Sequence, residues 1–275
     1  MGGSALSRIS TTSITIAVFL SFSVSLASAE SDTRVALLSG DREPPRIALI
    51  IDDLGNWRSA GVRTVSLPGP VACSVLPHTP FAKLIAERAH DAGKEVMLHL
   101  PMAPIQKRDS APGTIYVDTT RTQLARIFAL DLESIPHVVG VNNHMGSLVT
   151  QHPGHMTWLM TEIRERGGLF FVDSVTSEAS IALKIATESG VPATRRDVFL
   201  DNVATEEAID REFHKLKELA RRNGVAVGIG HPYPATLTYL ERVLPALADE
   251  GIALISVTES IRYRTAPPKG SLVQN

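Results

Sequence analysis

The chain has 275 residues, 44% of them hydrophobic and 20% charged, an ordinary globular balance with enough length for one large core. A formal net charge of −2 offers no basic field, which excludes nucleic acid as a partner. A single cysteine, Cys73, excludes an internal disulfide and any zinc cluster built on cysteines.

Residues 1–29 read as a signal peptide. Arg8 is its only charged residue, Ile14 to Leu26 form a modest apolar stretch, and Ala27-Ser28-Ala29 fits the small-x-small cleavage pattern. The stretch is too short, and too rich in Ser and Thr, for a spanning helix. Cleavage after Ala29 removes Arg8 and leaves 26 basic against 29 acidic residues, a mature charge of −3. An uncleaved anchor is the alternative. Either way the folded part is expected in a bacterial periplasm, with no stable membrane insertion once the signal is gone. Residues 30–45 read as a linker, 46–264 as one domain and 265–275 as a flexible tail.

The first predicted strand ends the run Ile47-Ala48-Leu49-Ile50-Ile51-Asp52-Asp53-Leu54-Gly55. An apolar, Ile-rich run of this length between Pro44-Pro45 and Gly55 reads as a strand buried on both faces. Two adjacent carboxylates at its end cost free energy unless a cation or a shared proton relieves them. The plainer reading is that Asp53 caps the next helix. The second strand, Val71 to Leu76, closes with Pro77-His78. A helix follows with Thr79 as cap, Pro80 at its first position, and Phe81, Leu84, Ile85 and Ala89 on one face; Gly93 stops it. The third strand, Glu95 to Leu100, ends in His99 and Pro101. Residues 103–118 read as a long rim loop, and a helix spans Thr120 to Leu132.

The fourth strand, Val138 to Asn142, runs into Asn143-His144-Met145-Gly146-Ser147. Asn142, Asn143 and Ser147 are placed to hold the His144 loop through backbone bonds. A helix from Met156 to Arg166 leads to a fifth strand, Leu169 to Val172, followed by Asp173-Ser174. The sixth strand, Val198 to Leu200, ends at Asp201. A charged helix, Glu206 to Arg222, precedes the seventh strand, Val225 to Ile229, which ends Gly230-His231-Pro232. Ala253 to Val257 form an eighth strand. Strands alternating with helices imply parallel pairing and right-handed crossovers. Seven or eight such units imply a closed or nearly closed α/β barrel. An open doubly wound sheet has no Gly-x-Gly-x-x-Gly or Walker motif to support it.

Asp52, Asp53, His99, His144, Asp173, Asp201 and His231 each follow a different strand or close one, apart from the adjacent pair. In a parallel barrel those ends share one face, where active sites are built. Histidines and carboxylates converging there make a metal site of mixed N and O donors. Plainer roles are expected elsewhere. His78 reads as a loop residue bonded to backbone, His152 and His155 as surface residues, and His90, His137 and His214 as solvated. Cys73 and Trp158 read as packing, Trp57 and Tyr233 as cleft-lining. Ser147 and Ser174 lack a nucleophile-elbow context, so a serine hydrolase is not expected.

The stretches IIDDLG (50–55), GKEVMLHLPM (93–102), VGVNNHMGSLVT (139–150), LFFVDSVTS (169–177), RDVFLDN (196–202) and GIGHPYP (228–234) together resemble a divergent polysaccharide deacetylase, a relative of the NodB-type carbohydrate esterases. The resemblance covers nearly all of residues 46–262. It implies a NodB-like distorted (β/α) barrel, removal of N- or O-acetyl groups from an envelope or other glycan, and one divalent metal, with Zn²⁺ the expected ion. Position by position it puts the base on Asp52, a metal ligand on Asp53, the first metal histidine on His99 and the general acid on His231. The family's second metal histidine falls on Ala103. His144, from the next strand end, is assigned that vacancy from its place on the shared face, not from a motif. Asp173, Asn143, Ser147, Asp201 and Tyr233 are candidates for contacting substrate or supporting the site. Asp173 is read as orienting His231 or binding substrate, Asp201 as lining the rim or fixing a loop. The competing reading keeps the barrel without the reaction, as a decayed glycan-binding or envelope-interaction protein. Ala103 speaks for it; retention of Asp52 and His231 speaks against it. An aromatic content of 5% gives no broad stacking platform, so a short substrate is expected.

Overall fold

The computed structural model describes Met1, residues 43–106 and residues 111–265. The expected signal peptide, nearly all of the linker and nearly all of the tail lie outside the described residues. The chain divides into Met1–Glu43 and a unit from Pro44 onward that contains every element described below.

Nine strands are found among the described residues: β1 (Arg46–Leu54), β2 (Ala72–Val75), β3 (Val96–Met102), β4 (Val138–Met145), β5 (Phe170–Asp173), β6 (Ala193–Arg195), β7 (Val198–Phe199), β8 (Val225–Gly230) and β9 (Ala253–Ile255). The helices are α1 (Arg58–Val65), α2 (Ala82–Asp91), α3 (Arg121–Glu133), α4 (Pro153–Arg166), α5 (Ala182–Glu188), α6 (Glu206–Asn223), α7 (Pro234–Val243) and α8 (Val257–Thr265). The sheet order is β6-β5-β4-β3-β2-β1-β8-β7, with β9 also on β1. Every ladder is parallel. The fold is the curled, NodB-like (β/α) barrel that the strand–helix alternation implies.

The sixth predicted strand is β7, and a strand not expected from the sequence, β6, precedes it. β6 and β7 lie at opposite ends of the sheet order, yet only Arg196 and Asp197 separate them in the chain. The Arg196 N–H donates to Asp173 O on β5 at 3.0 Å, and the Asp197 N–H donates to Val227 O on β8 at 2.8 Å. Residues 193–200 are therefore one extended stretch that exchanges partners midway and draws the two sheet edges together.

Two apolar layers result. Outside the sheet, Ile47, Leu49 and Ile51 of β1 pack with helix residues such as Ile85, Phe128, Phe213 and Leu216. Inside the roll, Ala48 and Ile50 meet Met97, Val172, Val227 and Ile229. Alternation along β1 assigns its two faces to these layers. The foot of the roll is plugged by α8, whose Val257 and Ile261 join the interior cluster. Glu95 accepts from the Val257 and Thr258 amides at 2.7 and 3.1 Å, a carboxylate at a helix N-terminus. α6 shows why such helices form: Thr205 caps it, Glu206 and Glu207 occupy its first turn, and Arg221 and Arg222 its last.

Four local expectations are corrected. α2 starts at Ala82, because the Thr79 hydroxyl donates to Leu76 O at 2.8 Å instead of capping, and Phe81 N–H donates to Gly55 O. β4 continues to Met145, paired with β3 as far as Met102, so His144 stands on a strand rather than a loop. His155 is buried, its ring bonded to Thr119 O at 3.0 Å, while His152 caps α4. The rim loop is anchored at both ends. Ala103 N–H donates to Ile115 O and Ile115 N–H to Pro101 O, both at 2.9 Å. Gly113, at φ +79, lies where an added Cβ would come within 2.1 Å of Asp131 Oδ1. Asp131 is held 2.8 Å from His78 Nε2 rather than leaving His78 to backbone, and burial pushes its carboxyl up to about 7.

Candidate metal centre and active-site cleft

β1 ends in a bulge: its register against β2 shifts between Ile51 and Leu54. Asp53 sits there at φ 57, a left-handed conformation that non-glycine residues seldom adopt. Neighbours on a regular strand point to opposite faces. The bulge cancels that alternation, so Asp52 and Asp53 both serve the same cleft.

Three donors converge at its floor. Asp53 Oδ1 lies 2.9 Å from His144 Nδ1 and 3.1 Å from His99 Nε2. The two ring nitrogens are 3.2 Å apart. β3 and β4 deliver the histidines from adjacent strands, with Pro101 opposite His144 in the ladder. Atoms each about 2.0–2.1 Å from one shared centre lie about 2.9–3.4 Å from one another, so this triangle has the dimensions of a coordination face. Asp53 Oδ1 is buried and accepts no hydrogen bond among the described residues, the condition of an oxygen kept for a cation. An oxygen and two imidazole nitrogens suit zinc and other divalent ions. The donor set fits.

The electrostatics say the same. Burial raises the Asp53 carboxyl, but the His144 and His99 rings outweigh it and hold the group well below the usual carboxylate range. Burial opposes charge on His99, yet Asp52, Asp53 and Asn142 raise its pKa to about 9 in the metal-free chain. The pocket is built to hold positive charge.

Asn142 organises this floor. Asp52 can only accept, so the Asn142 amide N–H faces it, donating to Oδ1 at 2.8 Å. Asn142 Oδ1 then accepts from His99 Nδ1–H at 2.9 Å and from the Ser74 hydroxyl at 2.6 Å. That bond fixes the proton on Nδ1 and turns the Nε2 lone pair toward Asp53, as outer partners of ligating histidines do. Asp52 is buried, with Oδ2 3.7 Å from His99 Nε2.

His231, at the end of β8, stands across the cleft with Nε2 3.8 Å from Asp53 Oδ2. Its partner is Asp201, not Asp173. The ring Nδ1–H donates to Asp201 Oδ1 at 2.9 Å, and the His231 backbone N–H and the Thr236 hydroxyl donate to Oδ2 at 2.6 and 2.7 Å. Burial pulls the imidazole pKa down, but the Asp201 bond and the charges of Asp52, Asp201 and Asp53 raise it. Asp173 is turned away, accepting from Val175 N–H at 2.9 Å and the Ser180 hydroxyl at 2.7 Å. Asn143 does hold the loop after His144, donating to Met145 O at 2.7 Å and accepting from Ser174 N–H at 2.9 Å. Ser147 ties the rim loop by accepting from Ile105 N–H at 3.0 Å. Asn142, expected in the same loop-holding role, instead bridges Asp52 and His99.

The cleft has two halves that share Asp53, His144 and His231. One, of about 450 Å³, is the more polar and includes Asp52, Asn143, Ser174, Thr176, Arg196 and Asn202 in its lining. The other, of about 790 Å³, is walled by Trp57, Pro77, Pro112, Pro232 and Tyr233. The Tyr233 ring stacks on His231 at 5.5 Å. Sequence reasoning missed Ser74, Arg196 and Phe199, none of which stands at a strand end beside a histidine or a paired carboxylate.

Residues 49–261 match the family model described as "Divergent polysaccharide deacetylase", and the chain belongs to that family. It is 34% identical over 231 residues to the uncharacterised protein YibQ of Escherichia coli (strain K12), covering 82% of this chain and 72% of that one. Its fold is similar to that of the uncharacterised protein ATU2773 from Agrobacterium tumefaciens C58, with a TM-score of 0.76 at 23% identity over 80% of this chain and 90% of that one. The catalytic domain of peptidoglycan N-acetylglucosamine deacetylase from Eubacterium rectale ATCC 33656 shares the fold at a TM-score of 0.50 and 16% identity, covering 80% and 91%.

Proposed function

We propose that this protein is a metal-dependent hydrolase that removes acetyl groups from an envelope or other glycan. The reading is carried by one observation: the Asp53–His99–His144 triangle lies between a buried carboxylate, Asp52, and an acid-type imidazole, His231. Asp53, His99 and His144 would hold the ion. When bound, a divalent ion supplies a Lewis acid that polarises an acyl carbonyl and makes water easier to deprotonate.

The chain's own groups do the rest. Asp52 Oδ2 accepts the proton of the attacking water, while Asn142 keeps Oδ1 occupied and the carboxylate oriented. His231 carries its reactive proton on Nε2, because Nδ1 is committed to Asp201. It delivers that proton to the departing amine or alcohol. Its pKa, raised against the effect of burial by the Asp201 bond and the nearby carboxylates, favours the protonated form that this step uses.

The competing reading, a barrel that binds glycan without turnover, drew on Ala103. Ala103 is buried against apolar neighbours, and His144 offers the third donor from β4. That compensation favours turnover. The proposed address is the periplasm, supported by residues 1–29; no helix of the described residues is long and apolar enough to cross a membrane. Metal content and acetate release from N- and O-acetylated oligosaccharides by purified protein test the proposal. About one equivalent of zinc or a similar ion, with acetate release lost in Asp52→Asn, is expected. Metal binding with no release from any acetylated glycan would favour the binding reading.

A further inference from the structure

We propose that Arg196 selects the substrate by binding an anionic group, a carboxylate carried on the sugar held in the polar half of the cleft. The inference deepens the glycan-deacetylase reading and rests on it. Arg196 occupies the point where the extended stretch 193–200 leaves β5 for β8, and binding sites of α/β sheets gather where strand partners switch. Its Nε–H and one Nη2–H donate to Ser174 O and Val175 O, both at 2.7 Å. These two bonds fix the guanidinium plane by one edge. The Phe199 ring packs against it, 5.1 Å from the guanidinium carbon.

The other edge is free. Nη1 has no hydrogen-bond partner among the described residues, and no carboxylate there comes within ion-pair distance of Arg196. Asp197 is paired with Arg264 instead, and Asp173 is taken by Val175 and Ser180. A half-buried guanidinium without a counter-ion is unusual, since buried charges are ordinarily paired. Burial accordingly draws its pKa below the ordinary arginine value, against the pull of Asp173, Asp52 and Asp197. Val175, whose carbonyl helps hold the fork, is at φ 49, a left-handed conformation that a β-branched residue adopts only under constraint. A fork pre-set this way in the lining of the cleft, with its other pair of N–H groups unclaimed among the described residues, matches a carboxylate. On the far side of the metal triangle, Trp57 (74% exposed) and Tyr233 offer apolar ring faces. The substrate this cleft fits is an acetylated amino-sugar oligomer carrying an acid on one unit and a neutral ring on the next.

The test uses the zinc-loaded protein and two probes. One is the disaccharide of N-acetylglucosamine and N-acetylmuramic acid; the other is the same disaccharide with its carboxylate converted to the methyl amide. Calorimetric titration of the wild type is expected to show the acid bound roughly ten- to a hundredfold more tightly, as for a hydrogen bond to a charged group. Arg196→Met is expected to bind both probes alike, at the wild-type affinity for the amide. Arg196→Lys keeps a point charge without the fork and should retain only part of the preference. Equal affinity of the wild type for both probes overturns the proposal and leaves the glycan reading standing. So does a preference that survives in a folded, zinc-replete Arg196→Met. Zinc-loaded wild type that binds neither probe also overturns the Arg196 proposal, while acetate release from other acetylated oligosaccharides decides the glycan reading separately.

Discussion

His231 meets Asp201 twice, its ring donating to one carboxylate oxygen at 2.9 Å and its backbone amide to the other at 2.6 Å. The paired contact locks both the tautomer and the position of the imidazole. In Asp201→Asn the raised pKa should fall toward the ordinary value of 6.5. The protonated acid is then lost at lower pH, so the alkaline limb of the activity profile moves down. Each unit of that shift lowers the rate at pH 8 by up to about tenfold. An unchanged alkaline limb would separate His231 from the proton-transfer step. The same raised pKa stabilises the fold fully below about pH 6.5, an advantage lost as pH rises through the folded-state value.

Metal affinity is expected to depend on pH through His99. In the metal-free chain this imidazole is pushed up to about 9, so a proton occupies it at neutrality. Binding must displace that proton, and affinity should fall about tenfold for each pH unit below 9. Competition titrations between pH 6 and 9 measure the slope. His99→Ala should abolish binding; full occupancy in that variant would remove His99 from the ligand set. In the metal-free protein the raised pKa adds stability that is complete below about pH 6.5 and disappears as pH passes through 9.

Asn142→Ala removes the bridge between Asp52 and His99 while leaving every proposed ligand and proton-transfer group in place. Outer partners of metal ligands typically contribute about 10- to 100-fold in metal affinity or activity, and a loss of that size is expected here. The Ser74 hydroxyl would be left without its acceptor, so a modest fall in melting temperature should accompany it. Metal titration alongside thermal melts distinguishes the two effects.

Gly55 follows the bulge of β1 at φ +115, and an added Cβ would stand 2.1 Å from the Thr79 hydroxyl. Gly55→Ala combines an unfavourable backbone with that collision and should cost more than about 1 kcal/mol. Removing the collision in Gly55→Ala/Thr79→Ala should recover only the steric part, leaving the backbone cost. Complete recovery in the double variant would mean that φ at this position is not constrained.

Much of this architecture can be read from residues alone. Runs such as Ile47–Ile51 and Val225–Ile229 are apolar throughout because both sheet faces are covered, and their polar ends announce the cleft. Asp53, His99 and His144 were legible for that reason. What stayed hidden depends on contacts between distant segments. Asp201 could not be matched to His231 because the partner choice is decided by where the β7 and β8 ends meet. In the sequence Asn142 reads as the end of the fourth strand and a holder of the His144 loop; its bonds to Asp52 and His99 are decided by how β1, β3 and β4 come together. Ala193–Arg195 carries one arginine and follows Pro192, so nothing in its composition distinguished a strand that changes sides.

That exchange also governs how the mouth of the roll behaves. Residues 193–200 act as a zip fastened to β5 below and to β8 above, and Arg196 adds two stitches to the loop beyond β5. Widening the mouth would require parting one of these seams. These seams hold the opening at one width, and under the proposed function that width limits the girth of what enters. Adjustment to longer or branched chains falls to the rim segments carrying Trp57 and Pro112, whose replacement should alter which glycans are admitted without disturbing the floor beneath.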